Sequence, residues 1–234
     1  MALSPAEQQK KRLLPLENVD KDGLKIHEIY ASIQGESSYA GLPCTFIRTT
    51  ACNLRCHYCD TPHAFYEGTV WSIAHVLERV HTLKHSLVEI TGGEPLLQAN
   101  VLPLMTKLCD LNYKVLLETS GSRDTAPVDK RVIKIIDLKT PSSGEAAANL
   151  YNNLEHLLPH DEIKFVLGNR EDYEWAKSMM HTYDLTSRCT VLMGIVWNTL
   201  ANQELAEWII QDHLHVRMQV QTHKWIWSPE ARGV

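Results

Sequence analysis

The chain has 234 residues, 44% of them hydrophobic and 22% charged, with a formal net charge of −5. That length allows one large domain or at most two small ones, and the composition is ordinary for a globular protein. No basic run exceeds Lys10-Lys11-Arg12, so no nucleic-acid partner is expected. No apolar stretch approaches the roughly 18 residues of a bilayer span, and the N-terminus lacks the apolar core of an export signal. A cytoplasmic protein without a membrane partner is the expectation. Three of the six cysteines are crowded together between Cys52 and Cys59, while Cys44, Cys109 and Cys189 lie in apolar segments. This suits a metal site in a reducing compartment better than a disulfide framework.

Residues 1–22 are polar, carry Pro5 and Pro15, and read as a loosely attached N-terminal extension; residues 23–234 read as a single domain. Leu24 to Tyr30 alternates as a strand and runs into a turn at Ser32 to Ser37. Residues 43–49 form a short apolar strand that ends at Arg48 and leads into the cysteine loop. Ile73, Val76, Leu77, Val80 and Leu83 predict a helix over 71–85 by their spacing. Further strands are expected at 87–90, 113–117, 132–136, 163–167 and 190–193. Helices are expected around Val101 to Leu108 (Pro103 fits only in a first turn), over 171–183, and around Leu205 to Ile209. Residues 216–224 alternate like a strand but are unusually polar.

Short apolar strands alternating with helices predict an α/β protein with a parallel sheet. About six strands is few for a closed barrel of roughly 250 residues, so the expected architecture is a partial, incomplete parallel β/α barrel. Arg48, Thr91 to Glu94, Glu118 to Ser120, Asp137 and Lys139 each follow an apolar strand. In parallel α/β folds that edge faces the ligand, so these residues should converge on one mouth, together with the cysteine loop.

Cys52, Cys56 and Cys59 are spaced C-x3-C-x2-C with no fourth cysteine nearby. A structural zinc would need a fourth ligand, which one of twelve histidines could supply. A [4Fe–4S] cube on three thiolates instead leaves one iron open. The Gly92-Gly93 pair removes side chains from a strand edge, so backbone can approach a ligand. Glu118 could accept both hydroxyls of a ribose, since an ionised acid only accepts. Asp137 and Lys139 share a strand face and could simply form a salt bridge. Lys164 interrupts an apolar strand and needs a partner, with Asp161 and Glu162 adjacent in sequence.

The segment Cys52 to Asp60 resembles the signature of the radical S-adenosylmethionine (SAM) enzymes, and Thr91-Gly92-Gly93-Glu94 is similar to their GGE motif. Ser32-Ile33-Gln34-Gly35-Glu36, Phe46-Ile47-Arg48, Cys52 to Thr61, Thr91 to Pro95, Glu118 to Gly121 and Gln221-Thr222-His223-Lys224 together resemble the 7-carboxy-7-deazaguanine synthase family. The likeness runs from about residue 27 to the end. It implies a radical SAM-type fold and a lyase that rearranges 6-carboxy-5,6,7,8-tetrahydropterin into 7-carboxy-7-deazaguanine. Ammonia is lost on this route to queuosine-type 7-deazapurines. It also implies a [4Fe–4S] cluster, recycled SAM, hydrogen abstraction at C6 of the pterin, and Mg²⁺. By the same resemblance Cys52, Cys56 and Cys59 ligate the cluster and Thr61 contacts Mg²⁺. Tyr58, Asp60, Gly92, Gly93, Glu94, Glu118, Ser120, Asp137, Leu138 and Lys139 bind SAM. Ile33, Gln34, Gly35, Glu36, Arg48, Thr91 and His223 bind the substrate. A flavodoxin-type reductant and a homodimer are family expectations. Two other readings stay open here: an activase that makes a glycyl radical on a partner protein, and a non-catalytic zinc or iron–sulfur protein. Two departures stand out. Ser37 occupies a position where the family commonly has glycine. The chain also continues past His223 to Val234, whereas in some members the terminal carboxylate reaches the substrate.

Overall fold

A computed structural model describes residues 4–234. Nine strands form one open sheet: β1 (Gly23–Ile33), β2 (Pro43–Thr49), β3 (Thr69–Ser72), β4 (Leu87–Gly92), β5 (Lys114–Thr119), β6 (Ile133–Asp137), β7 (Glu162–Leu167), β8 (Thr190–Ile195) and β9 (Arg217–Met218). Their order is β3-β1-β2-β4-β5-β6-β7-β8-β9. β1 pairs antiparallel with both β2 and β3, and every other pairing is parallel. The edges at β3 and β9 never meet, which makes this the expected incomplete barrel. It has more strands than the expected six or so because β3 and β9 are too short and polar to show an apolar run.

Alternation along the parallel strands decides what lies on each side, since successive side chains point to opposite faces. Outward residues such as Ile47, Val88, Ile90, Val115 and Leu117 pack against α2 (Ile73–Leu83) and α3 (Val101–Asp110). Ile136, Ile163, Phe165, Val191 and Met193 do the same against α4 (Arg170–Thr182), α5 (Leu185–Arg188) and α6 (Asn202–Gln211). The inward set begins apolar, with Cys44, Phe46, Leu116, Ile135 and Leu192 filling the barrel floor. Two residues further along β2, β4, β5 and β6 it turns polar: Phe46 is followed by Arg48, Leu87 by Glu89 and Thr91, Leu116 by Glu118, and Ile135 by Asp137. The parity of these four strands builds an apolar floor beneath a charged mouth, to which β7 adds the inward Glu162 and Lys164.

The helix over 71–85 is shorter than expected. Ser72 caps α2, with its Oγ accepting from the His75 N–H (3.3 Å), and Trp71 belongs to β3. Residues 216–224 do not form a long strand. β9 covers two residues, and His223–Ile226 is a short helix, α7. The polar side chains there are spent on the turn at 34–37. Of the extension at 1–22, residues 1–3 lie outside the described part. Residues 5–16 are helical rather than loose, with turns over 17–22: α1 (Pro5–Leu13) starts with a capping box between Ser4 and Glu7 and runs into a short 3-10 turn at Leu14–Leu16. Arg12 donates to the Asn53 carbonyl (2.6 Å) and Lys25 Nζ to the Pro15 carbonyl (3.1 Å), so the arm touches the cysteine loop.

Candidate active site

A cavity of about 620 Å³ opens at the C-terminal end of the parallel strands, within the range of small-molecule sites. Cys52, Cys56 and Cys59 line it, as do Ile33, Gln34, Gly35, Glu36, Arg48, Tyr58, Asp60, Thr61, Thr91, Gly92, Gly93, Glu118, Ser120, Asp137, Lys139 and His223. Residues up to about 190 apart in sequence converge because each sits just past the apolar part of its strand, or in a loop that folds over that edge.

Two expected residues do not line the cavity. Leu138 is 1% exposed and packs with Ile136 and Leu167 in the outer core, because it is out of phase with Asp137 and Lys139. Glu94 is fully buried. Its carboxylate accepts from Thr119 Oγ1 (2.9 Å), the Ser120 N–H (2.8 Å), Ser120 Oγ (2.6 Å) and the Leu96 N–H (3.0 Å). It ties the GGE turn to the end of β5.

The glycine pair has a second reason beyond ligand approach. The cysteine loop docks on this turn through backbone, with Glu94 N–H donating to the Ala51 carbonyl (2.8 Å) and Gly93 N–H to the Thr49 carbonyl (3.2 Å). A Cβ at Gly93 would stand 2.1 Å from the Ala51 oxygen, and one at Gly92 2.4 Å from the Thr49 oxygen. Gly92 also has φ +147, which side chains disfavour.

The three thiols fit a polynuclear cluster. Among the described residues the cysteine sulfurs do not form a group within 4.8 Å of one another. Three thiolates on one zinc at about 2.3 Å would lie closer than that. Burial pushes the Cys52 thiol up to about 12 and raises Cys56 as well, with the Lys139 charge opposing both. Iron must therefore displace their protons on loading. The loop itself is braced. The Arg55 guanidinium donates to the carbonyls of Cys52 (2.8 Å) and Leu54 (2.6 Å) and stacks 4.0 Å over Phe65. Glu145 accepts from the Arg55 N–H (2.6 Å) and pairs with Arg12.

Charge is concentrated in the middle of the cavity. Lys164, only 5% exposed, pairs with Glu36 (2.6 Å) and with Glu118, and lies 3.7 Å from Asp137. Its neighbours in sequence are engaged elsewhere: Asp161 pairs with Lys134 (2.8 Å), and Glu162 accepts from the Ser38 N–H (3.1 Å). Burial opposes ionisation of Glu36, but the Lys164 charge and hydrogen bonds from Lys164 and Gln221 outweigh it and lower Glu36 to about 2. Lys164 is held protonated: burial works against its charge, and Glu118, Glu36 and Asp137 overcome it. Asp137 and Lys139 do form the salt bridge (2.9 Å). The second Asp137 oxygen, Oδ1, is buried and is one of four side-chain polar atoms among the described residues without a partner. A buried acceptor of this kind needs a donor, which a ligand in the cavity would supply.

Glu89 was not anticipated from sequence. It lines the cavity, is 3% exposed, and accepts from Gln34 Nε2. Burial, then the charges of Glu118 and Glu36, raise it well above the usual carboxylate range. Its phase with Thr91 on β4 was the available signal. Gln34 Oε1 in turn accepts from the Glu36 N–H (3.1 Å).

The C-terminal segment closes the side of the cavity next to the turn at 34–37. Gln221 Nε2 donates to Glu36 (2.7 Å), Gln219 Nε2 does likewise (3.0 Å), and Lys224 pairs with Asp60 (3.3 Å). Thr222 N–H donates to the Gly35 carbonyl (3.0 Å), and a Cβ on Gly35 would fall 2.1 Å from His223 Nδ1. Ser37 adopts φ +63, the left-handed region where glycine is easiest. Here its N–H is held by Gln219 Oε1 (2.8 Å). Arg48 pairs with Glu28 (2.8 Å) and donates to the Tyr30 hydroxyl (2.9 Å).

An open parallel barrel with three cysteines on the loop after its first parallel strand defines a radical SAM protein, and a profile of the radical SAM superfamily matches residues 46–194. Among curated relatives, the 7-carboxy-7-deazaguanine synthase of Koribacter versatilis is 46% identical, over 90% of this chain and all of the relative. That of Chlorobaculum tepidum is 45% identical, over 90% of this chain and 97% of its own. The chain belongs to the 7-carboxy-7-deazaguanine synthase family, and is an enzyme of the lyase type that depends on a [4Fe–4S] cluster and SAM. In fold it is similar to the solved QueE from Escherichia coli (TM-score 0.71, 20% identity, 94% of this chain and all of that one). It is also similar to the peptide-bound SuiB of Streptococcus suis (TM-score 0.54, 12% identity, 74% of this chain and 47% of that one).

Proposed function

We propose that this chain converts 6-carboxy-5,6,7,8-tetrahydropterin into 7-carboxy-7-deazaguanine with loss of ammonia, on the way to queuosine-type 7-deazapurines. The observation that carries the reading is the single cavity in which three cysteines face a Lys164–Glu36–Glu118–Asp137 network and the Arg48 guanidinium. We assign residues 23–234 to one catalytic domain and 1–22 to an added arm.

Cys52, Cys56 and Cys59 would hold the cluster. Bound together, cluster and SAM supply a carbon-centred radical that can take a hydrogen atom from an unactivated C–H bond. The protein's part is position and exclusion of water. Gly92 and Gly93 would offer backbone to the methionine end of SAM, with Glu94 fixing that turn from behind, and Glu118 and Ser120 would accept from or donate to the ribose hydroxyls. Asp137 Oδ1 offers an unfilled acceptor, and Leu138 could contribute only backbone. Tyr58, Asp60 and Lys139 complete the SAM wall, with Tyr58 donating to the Val166 carbonyl (3.3 Å). Thr61 offers a hard oxygen for Mg²⁺. Ile33, Gln34, Gly35, Glu36, Thr91 and His223 surround the pterin, and Arg48 pairs with its carboxylate. Burial lowers His223 from its ordinary value, against the pull of Glu36, so at neutral pH it is an uncharged imidazole beside the substrate.

Anaerobic reconstitution with iron and sulfide, then addition of SAM, dithionite, Mg²⁺ and the pterin, tests the reading. Mass spectrometry should find 7-carboxy-7-deazaguanine from the wild type and none from Cys56→Ala, which should also lack the brown cluster absorbance. An active Cys56→Ala would overturn the cluster assignment. Cleavage of SAM without product would favour the activase reading. Among the described residues no helix is long and apolar enough to cross a membrane. We further place the enzyme in the cytoplasm, as a homodimer served by a flavodoxin-type reductant. Light scattering in solution and replacement of dithionite by reduced flavodoxin test the last two.

A further inference from the structure

We propose that His27, Glu28 and His63 form a second cation site, at the rim of the cavity, for a first-row divalent transition metal such as Zn²⁺. Each of the three offers one ligand atom, and these atoms lie within 4.8 Å of one another. Bonds of about 2.0–2.2 Å to imidazole and carboxylate set tetrahedral ligand separations of roughly 3.3–3.6 Å, so the side chains close by at most about 1.5 Å, a change that rotation about their χ angles supplies. Among the described residues this is the one group of three His, Cys, Asp or Glu that meets that spacing.

Neighbouring residues on a strand normally point to opposite faces, so His27 and Glu28 should not share a site. They do because β1 carries a bulge there. Ile26 pairs with Thr49 and Glu28 with Arg48, which leaves His27 without a partner in the ladder. Bulges re-aim side chains in this way beside functional sites. His63 comes from the turn Pro62–Phe65 that follows the cysteine loop, and its ring centroid is 5.0 Å from that of His27.

The side chains are also oriented from behind. His27 Nδ1 lies 3.1 Å from the Glu67 carbonyl, which can only accept. Nδ1 therefore carries the hydrogen, and Nε2 keeps its lone pair for an ion. Metal-bound histidines are typically oriented by such a bond. Thr50 Oγ1 donates to the same carbonyl (2.6 Å). Glu28 uses Oε1 for Arg48 (2.8 Å), leaving Oε2 for the ion. Two imidazoles and one carboxylate suit Zn²⁺, Co²⁺, Ni²⁺ or Fe²⁺ over Mg²⁺, so this site differs in chemistry from the hard oxygen of Thr61. An ion here would clamp the loop that carries Thr61 to β1.

The test uses tag-free, cluster-loaded enzyme under argon, titrated with Zn²⁺ by calorimetry. One equivalent should bind beyond the cluster and raise the melting temperature. His27→Ala and His63→Ala should each weaken that event by at least about tenfold, while Thr61→Ala keeps it. His63→Asn, with circular dichroism and iron content equal to wild type, guards against loss of fold. X-ray absorption at the zinc edge should show nitrogen and oxygen only. Sulfur ligation, no binding by the wild type, or equal binding by the histidine variants would each overturn the proposal.

Discussion

Replacing Lys164 with methionine tests the electrostatic centre of the cavity. The methionine keeps most of the volume and deletes a cation that touches Glu36 (2.6 Å) and Glu118 and lies 3.7 Å from Asp137. Removing one partner of a buried ion pair costs about 3–5 kcal/mol, because the remaining charge is stranded. The lowering of Glu36, to which the Lys164 charge and hydrogen bond contribute most against burial, has the same sign as that cost. The sign follows from linkage. Glu36 is depressed in the folded state, so its stabilisation is present above the unfolded value of 4.5 and is lost as pH falls towards about 2. Urea unfolding of wild type and Lys164→Met should therefore show a gap of about 3–5 kcal/mol at pH 7 that is smaller at pH 3. A gap below about 1 kcal/mol at pH 7, the size of an exposed pair, or one independent of pH, would refute the reasoning.

Glu89 carries the opposite sign. A carboxyl raised in the folded state destabilises it above the unfolded value, so Glu89→Gln should gain on the wild type by up to about 1.4 kcal/mol per pH unit above pH 4.5 until Glu89 ionises. Urea titrations at pH 5 and 7 would show it, and a constant difference would contradict it. Gly93→Ala drives a methyl to within 2.1 Å of the Ala51 oxygen, with an expected loss of about 1–3 kcal/mol. Iron content after reconstitution should fall with it, and full cluster loading would show that the turn can yield. Arg48→Ala should leave SAM cleavage intact while raising the KM for the pterin at least about tenfold, the loss expected from one charge-assisted bond. Unchanged KM would remove Arg48 from the substrate site.

Much of this site was legible because parallel α/β folds collect strand ends at one pole. The strand at 43–49 coincides with β2, and Arg48, Thr91, Glu118 and Asp137 share the mouth as expected. What sequence order could not show was who meets whom across the barrel. Asp161 and Glu162 stand beside Lys164 in sequence, yet its partners are 46 and 128 residues away, because they reach it across the barrel mouth from β5 and from the turn after β1. Glu94 carried the motif, but its four donors come from the end of β5 and its own turn. The tail at 216–224 alternated as a strand would, but Gln219, Gln221 and His223 alternate to reach the turn at 34–36. The Ser4-x-x-Glu7 pattern with Pro5 between them is a helix-start signal that the reading of residues 1–22 as a loose arm passed over. The bulge at His27 left no mark in composition or spacing, and only the register with β2 reveals it.

The ratio of product formed to SAM consumed, followed in one anaerobic time course, bears most directly on whether this cavity positions a pterin for reversible hydrogen transfer. Many equivalents of 7-carboxy-7-deazaguanine per SAM are expected, since a substrate held in register returns the hydrogen atom and regenerates the cofactor. One SAM lost for each product, or 5′-deoxyadenosine accumulating with the pterin unchanged, would contradict it.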